Sequence, residues 1–182
     1  TEYILLHKII ETVTEELYQD YLKKVILDPL KMNNTGVAFS TNDRPEWVES
    51  YVLNREQNVF EQEDFYLPEL FFGSANLYST LLDLFKFDQG LFNAQLLDAT
   101  STSRLLEIIP ELGYTAYGLW GSNGWNRINE PFYYRTGGIL GSRANWIHTM
   151  DSNLTIIVLS NNDGTDLYEL SEQVYLMQTR IH

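Results

Sequence analysis

The run Leu154-Thr-Ile-Ile-Val-Leu-Ser160 constrains the fold more than any other part of this chain. A strand with one solvated face alternates apolar and polar side chains, whereas this one is apolar on both. It is expected inside a sheet rather than at its edge. Asp151-Ser152-Asn153 separates it from Asn145–Met150, so the two segments read as a β-hairpin. Phe132–Thr136 adds an aromatic, extended segment upstream. Asp166, with Glu169 three residues on, resembles a capping box opening a terminal helix to about Arg180.

Earlier segments keep to the helical period instead. Ile4, Leu5, Ile9 and Val13 recur among Lys8, Glu11 and Thr12, and a second amphipathic stretch runs from about Glu15 to Ile26. Asp28-Pro29 ends it, because the residue before proline avoids helical geometry, and Asn33-Asn34-Thr35-Gly36 reads as a turn. Residues 40–68 are polar and aromatic with poor periodicity, an excursion of short strands or turns. Ser79 or Thr80 then caps a buried helix ending near Gly90, with Asp83 complementing its dipole. A further helix is expected over Thr102–Ile109, before Pro110. Helices succeeded by an antiparallel meander and a helix make an α+β fold: a mainly helical region over 1–112, then strands and a terminal helix over 113–182.

Composition removes several function classes. With 12 Lys plus Arg against 25 Asp plus Glu, the net charge of −13 disfavours nucleic acid as a partner. Without cysteine there is no disulfide, thiolate nucleophile or Cys-based zinc site. No apolar run reaches the length of a membrane span. The chain starts at Thr1, with apolar residues from Tyr3, which reads more as a cut through something longer than as a natural beginning, although tag removal would also produce it. His7, His148 and His182 are scattered without metal-ligand spacing, His7 expected on a helix surface and His148 in a strand. No metal or other cofactor is called for. Asn161–Asp166 superficially suggests a calcium loop, but with Gly164 at the sixth loop position Leu159 and Leu170 fall where oxygen ligands are required. It is a strand-to-helix turn.

Two constellations remain as candidate sites. Tyr134-Arg135-Thr136-Gly137-Gly138 offers a planar cationic fork for a carboxylate, a hydroxyl, and glycines that let backbone N–H groups approach a reacting carbonyl. Read plainly, it is a strand running into a glycine turn. Trp120, Trp125 and Trp146 could stack on sugar rings, or simply pack a core. No serine has lysine three residues later, and in Ser101-Thr-Ser-Arg104 a guanidinium cannot serve as base. Gly121-Ser122-Asn123-Gly124 is no nucleophile elbow, since Trp120 occupies the first glycine's place. A nucleophile and its base cannot be assembled from these residues.

Taken together, these segments resemble the class C β-lactamase-like and penicillin-binding-protein-like serine hydrolases. Tyr3–Ile10 and Tyr21–Gly36, with Ile26-Leu-Asp-Pro-Leu-Lys-Met-Asn-Asn-Thr-Gly36, are similar to the helix and turn after the family's catalytic tyrosine motif. Gly73–Thr80 with Asp83-Leu84 and Gly90-Leu91 is similar to its next helical segment. Tyr117-Gly-Leu, Arg135-Thr-Gly-Gly138 with Gly141, and Thr155–Asn161 are similar to its final sheet, in the same order. The resemblance implies that Arg135, Thr136 and Gly137 match the Lys-Thr-Gly or His-x-Gly element that binds substrate, and that Gly138 supplies a backbone N–H to the oxyanion hole. Arg135 departs from the usual Lys or His: it keeps the charge without readily trading protons. The resemblance further implies that Ser-x-x-Lys and Tyr-x-Asn precede Thr1. It implies substrates among β-lactams, D-amino-acid peptides or esters, hydrolysis through an acyl-serine, and a periplasmic or secreted setting. Residues 1–182 would then be the C-terminal portion of one domain, inactive alone. The strand at 154–160 would be covered by the missing segment, present as a second chain, or by a homo-oligomer. A carbohydrate- or peptide-binding module built on the Trp-rich loops is the alternative.

Overall fold

The computed structural model describes residues 2–39, 47–63 and 71–179. It divides into two compact units, Thr1–Glu49 with Asp64–Gly90, and Ser50–Glu63 with Leu91–His182. In the first unit α1 spans Glu2–Thr14 and α2 spans Tyr18–Leu22, continued by a π-helical turn over Lys23–Leu27. Glu15, with φ of 55°, breaks the helix between them. This places the second helical start three residues after Glu15, where periodicity alone put it.

His7 contradicts its expected place on the surface. It is buried, its ring stacked on Tyr18 at 4.6 Å and meeting Phe72 edge-on at 5.7 Å. Nε2 lies 3.2 Å from Glu11 Oε1. The Lys8 ammonium and the Tyr18 N–H, both hydrogen-bonded to Glu11, hold that carboxyl down at about 2. The apolar residues of the same helix are instead exposed, Leu5 at 59% and Val13 at 76%. The helix thus buries its polar notch and leaves its apolar stripe without cover among the described residues. Strand β1 (Gly36–Val37) pairs antiparallel with a second short strand, Leu77–Tyr78, which is β4 in chain order.

Helix α3, Leu81–Phe92, starts where Thr80 Oγ1 accepts the Asp83 N–H at 3.3 Å. Asp83 is fully buried and does more than oppose a dipole. It accepts from the Asn34 N–H at 2.7 Å and the Thr35 hydroxyl at 3.1 Å, and pairs with Lys86 at 2.7 Å. The turn read at 33–36 is thereby tied to the helix. Leu82 is 73% exposed, so the buried helix expected here is covered only on part of its circumference.

In the second unit, β2 (Tyr51–Asn54) and β3 (Val59–Gln62) pair as an antiparallel hairpin. Helix α4 runs Ala99–Leu105, a turn earlier than expected, because Asp98 accepts the Ser101 N–H at 2.8 Å and sets the start. Strands β5 (Trp120–Ser122), β6 (Phe132–Ile139), β7 (Ser142–Thr149) and β8 (Thr155–Ser160) form an antiparallel sheet in that order. Helix α5, Leu167–Thr179, covers one face; Arg180 lies outside the described residues. Asp166 Oδ1 accepts the N–H groups of Tyr168 and Glu169, both at 3.0 Å. Ile128, Phe132, Ile147, Ile156 and Tyr175 make the core between sheet and helix, each fully buried apolar side chain contributing about 1.5–3 kcal/mol. On the opposite face Phe92 packs on Tyr133, Trp146 and His148.

Strand β8 is the last of the sheet among the described residues, not an interior strand. Its far end meets β2, where the Tyr51 N–H donates to Asn161 O at 2.8 Å. Along its length Leu159 is still 39% exposed. No described helix is long and apolar enough to cross a membrane.

Candidate active-site strand

Strand β6 carries all four residues singled out in the sequence, and the pairing register decides which way their backbone groups point. Directly opposite residues in an antiparallel pair alternate between hydrogen-bonded and non-bonded pairs. The Met150 N–H donates to Pro131 O at 2.8 Å, and the register pairs Phe132 with Thr149 and Gly138 with Arg143. Counting by two from the bonded pair 131/150, residues 133, 135, 137 and 139 therefore bond to β7. Residues 132, 134, 136 and 138 turn their N–H and C=O groups the other way. Phe132 and Tyr134 spend theirs on β5, which pairs only as far as Trp120↔Tyr134. Beyond that point no described strand lies beside β6. The N–H groups of Thr136 and Gly138 face an open edge, and both residues are exposed.

Aromatic packing positions this half-strand. Trp120 stacks on Tyr134 at 5.6 Å, and the Arg135 guanidinium lies 4.4 Å above the Trp120 ring. A cation over an indole face is worth about 0.5–2 kcal/mol, depending on solvent access. Burial pushes the Tyr133 and Tyr134 phenols up, so they stay neutral. The Tyr133 hydroxyl donates to Leu106 O at 2.7 Å. Of the three tryptophans, Trp146 packs against Phe92 and Trp120 beneath Arg135, while Trp125 is 49% exposed.

The turn beside Gly138 is braced from behind. Leu140 adopts φ of 51° between β6 and β7, and the Arg143 guanidinium bonds to Leu140 O and, at 2.9 Å, to Ser142 O. Arg143 also lies 3.5 Å from Asp163 Oδ2, whose other oxygen accepts the Leu53 N–H at 2.7 Å. A Cβ at Gly141 would sit 2.2 Å from Tyr51 O, so only glycine allows β2 this close. A Cβ at Gly138 would meet the Arg143 side chain at 3.0 Å. A cavity of about 210 Å³ opens next to Thr136 and Gly137, walled by Asn145 and the start of α5.

Sequence reasoning missed two polar groups in this unit. Glu130 is buried and accepts the N–H groups of Asp151 (2.9 Å) and Ser152 (2.8 Å), the Ser152 hydroxyl (2.8 Å) and the Tyr175 hydroxyl (3.0 Å). Burial alone would raise its pKa, but these donors hold it below the usual carboxylate range. Glu172 is buried on α5 beside Tyr168. Its place four residues after Tyr168 and three before Tyr175 puts it on the helical face of those two tyrosines.

The helices and antiparallel sheet with its terminal helix have the fold of β-lactamase and penicillin-binding-protein structures. The sequence model of the Beta-lactamase family matches residues 1–178, and the chain belongs to that family. It is 29% identical over 187 aligned positions to Penicillin-binding protein 4* of Bacillus subtilis, covering 93% of this chain and 40% of that protein. It is 26% identical over 134 positions to the teichoic acid D-alanine hydrolase of Staphylococcus aureus, covering 72% and 33%. The octameric penicillin-binding protein homologue from Pyrococcus abyssi superposes with a TM-score of 0.81 at 22% identity, over 97% of this chain and 41% of that one. The chain thus spans about two-fifths of the length of the Bacillus and Pyrococcus relatives.

Proposed function

We propose that residues 1–182 are the C-terminal portion of one β-lactamase-like domain and form the substrate-binding and oxyanion-stabilising part of a serine hydrolase. The observation that carries this reading is the outward, exposed N–H of Gly138 on a strand edge that β5 leaves open. In the reaction, a serine Oγ attacks the substrate carbonyl carbon and its proton passes to a neighbouring base. The carbonyl oxygen becomes an oxyanion within reach of the Gly138 N–H. Collapse expels the amine or alcohol with a proton and leaves an acyl-serine, which water then hydrolyses. The serine and its base lie outside these residues, since no Ser-x-x-Lys is present. Arg135, with Thr136 and Gly137, binds the carboxylate of those substrates that carry one; β-lactams, D-amino-acid peptides and esters are the substrate classes, with D-alanyl compounds supported by the name of the staphylococcal relative.

The outer edge of β8 is covered by residues beyond this chain or by another copy. In support, the Pyrococcus relative is octameric. Hydrolysis of D-alanyl esters and a chromogenic β-lactam by residues 1–182 alone is expected to stay at background, and turnover would overturn the reading. In the complete hydrolase, Arg135→Ala should lower kcat/KM for carboxylate substrates by about tenfold or more relative to neutral esters. Equal loss for both would remove Arg135 from substrate recognition. A glycan-binding module is less well supported, because only Trp125 of the three tryptophans is exposed.

A further inference from the structure

We propose that a second cavity, at the first turns of α5, binds an organic cation, an ammonium or guanidinium group, independently of any serine chemistry. The cavity holds about 430 Å³ and is lined by Asn126, Arg127, Asp166, Tyr168, Glu169 and Glu172. Three carboxylates face one guanidinium, but acidity alone does not define the site. Asp166 is committed to capping α5. Glu172 is different: it is only 5% exposed, and its Oε1 has no hydrogen-bond partner. The Tyr168 hydroxyl beside it is likewise buried without a partner. A buried carboxylate oxygen needs a donor, a buried hydroxyl needs a partner for its O–H or its lone pairs, and a buried anion needs a positive charge.

Tyr168 is the aromatic residue of the lining, and its ring packs on two others. Tyr168 lies 5.1 Å from Trp125 and 5.9 Å from Tyr134. Burial, with the Glu172 charge close by, raises the Tyr168 phenol, so it stays neutral and its ring keeps a negative face. Rings and oxygens together suit an organic cation better than a metal ion, and among the described residues no group of His, Asp and Glu has metal-holding geometry. A free amine and a lysine side chain of another polypeptide share this chemistry.

The test is calorimetric titration of this chain with n-butylammonium chloride. Saturable binding is expected, weakened about tenfold or more by Glu172→Gln, which keeps the shape and removes the charge. n-Butanol, of the same length and neutral, should give no saturable heat. If Glu172→Gln does not fold, Tyr168→Phe removes one oxygen only and should also weaken binding. Arg127→Ala removes a competing positive charge and should tighten it. D-Alanine methyl ester and Nα-acetyl-lysine amide then separate the two sources, the tighter one naming it. No saturable binding of any amine, or unchanged affinity in both the Glu172 and Tyr168 variants, overturns the proposal.

Discussion

Strand β6 is one strand with two kinds of half. Residues 132–134 are paired on both sides, to β5 and β7, and carry the aromatic side chains of the core. Among the described residues, 135–139 are paired only to β7, and Thr136, Gly137 and Gly138 are exposed. The backbone is equally extended throughout; only the neighbour changes. Because β5 stops at Trp120, the alternate N–H groups that would have closed a ladder are left facing outward. The length of a short neighbouring strand thus decides where packing ends and recognition can begin.

That contrast can be broken from either half. Phe132→Ala, at a position 1% exposed, should cost about 3–5 kcal/mol through lost burial and a cavity, seen as a lower denaturant midpoint. A loss under about 1 kcal/mol would mean the doubly paired half is not the core. Glu130→Gln should cost about 1–3 kcal/mol by weakening a buried carboxylate that serves four donors. Its folded pKa is depressed, so the wild-type contribution is fully present above the unfolded carboxylate range. It is lost as pH falls through the lower folded value, and the variant's stability should be flatter with pH in that window.

The sharpest comparison uses adjacent glycines. Gly137→Pro removes an N–H that bonds to β7 and should cost about 1–3 kcal/mol. Gly138→Pro removes one that faces the open edge, so its cost is limited to shifting the Arg143 side chain that a Cβ there would meet at 3.0 Å and should stay below that of Gly137→Pro. On the proposed oxyanion role it should also lower kcat of the complete hydrolase by about a hundredfold or more. Thermal melts of the two variants read the first difference. Equal destabilisation would show that the register alternation assigned to β6 is wrong.

Much of the second unit was legible because its signals are local. Asp151-Ser152-Asn153 marked the hairpin between β7 and β8, and Asp166 marked the start of α5 within one residue. The Arg135–Gly138 segment was legible as a strand, but its open edge was not, since that depends on where β5 ends. His7 was misplaced for the same kind of reason. Its neighbours at helical spacing are polar, and its burial comes from Tyr18 and Phe72, which no local period reveals. Strand β8 was read as interior from its two apolar faces, whereas among the described residues the strand paired along it is β7. Side-chain pattern reports coverage of faces, and lateral pairing is a separate question. Asp98 outcompeted the residues near Thr102 as a helix start because its carboxylate accepts a backbone N–H directly.

The face of the sheet away from α5 holds a contact with a use of its own. The Phe92 and His148 rings lie parallel, 2° apart in tilt and 3.5 Å between centroids, and His148 is 2% exposed. Imidazole protons held over a benzene ring are shielded by its circulating π electrons. His148 should therefore give a carbon-bound proton resonance displaced far upfield of the imidazoles in an unfolded chain. In a spectrum crowded by twelve tyrosines and nine phenylalanines, that single line would report the seating of Phe92 on β7 without any label or probe.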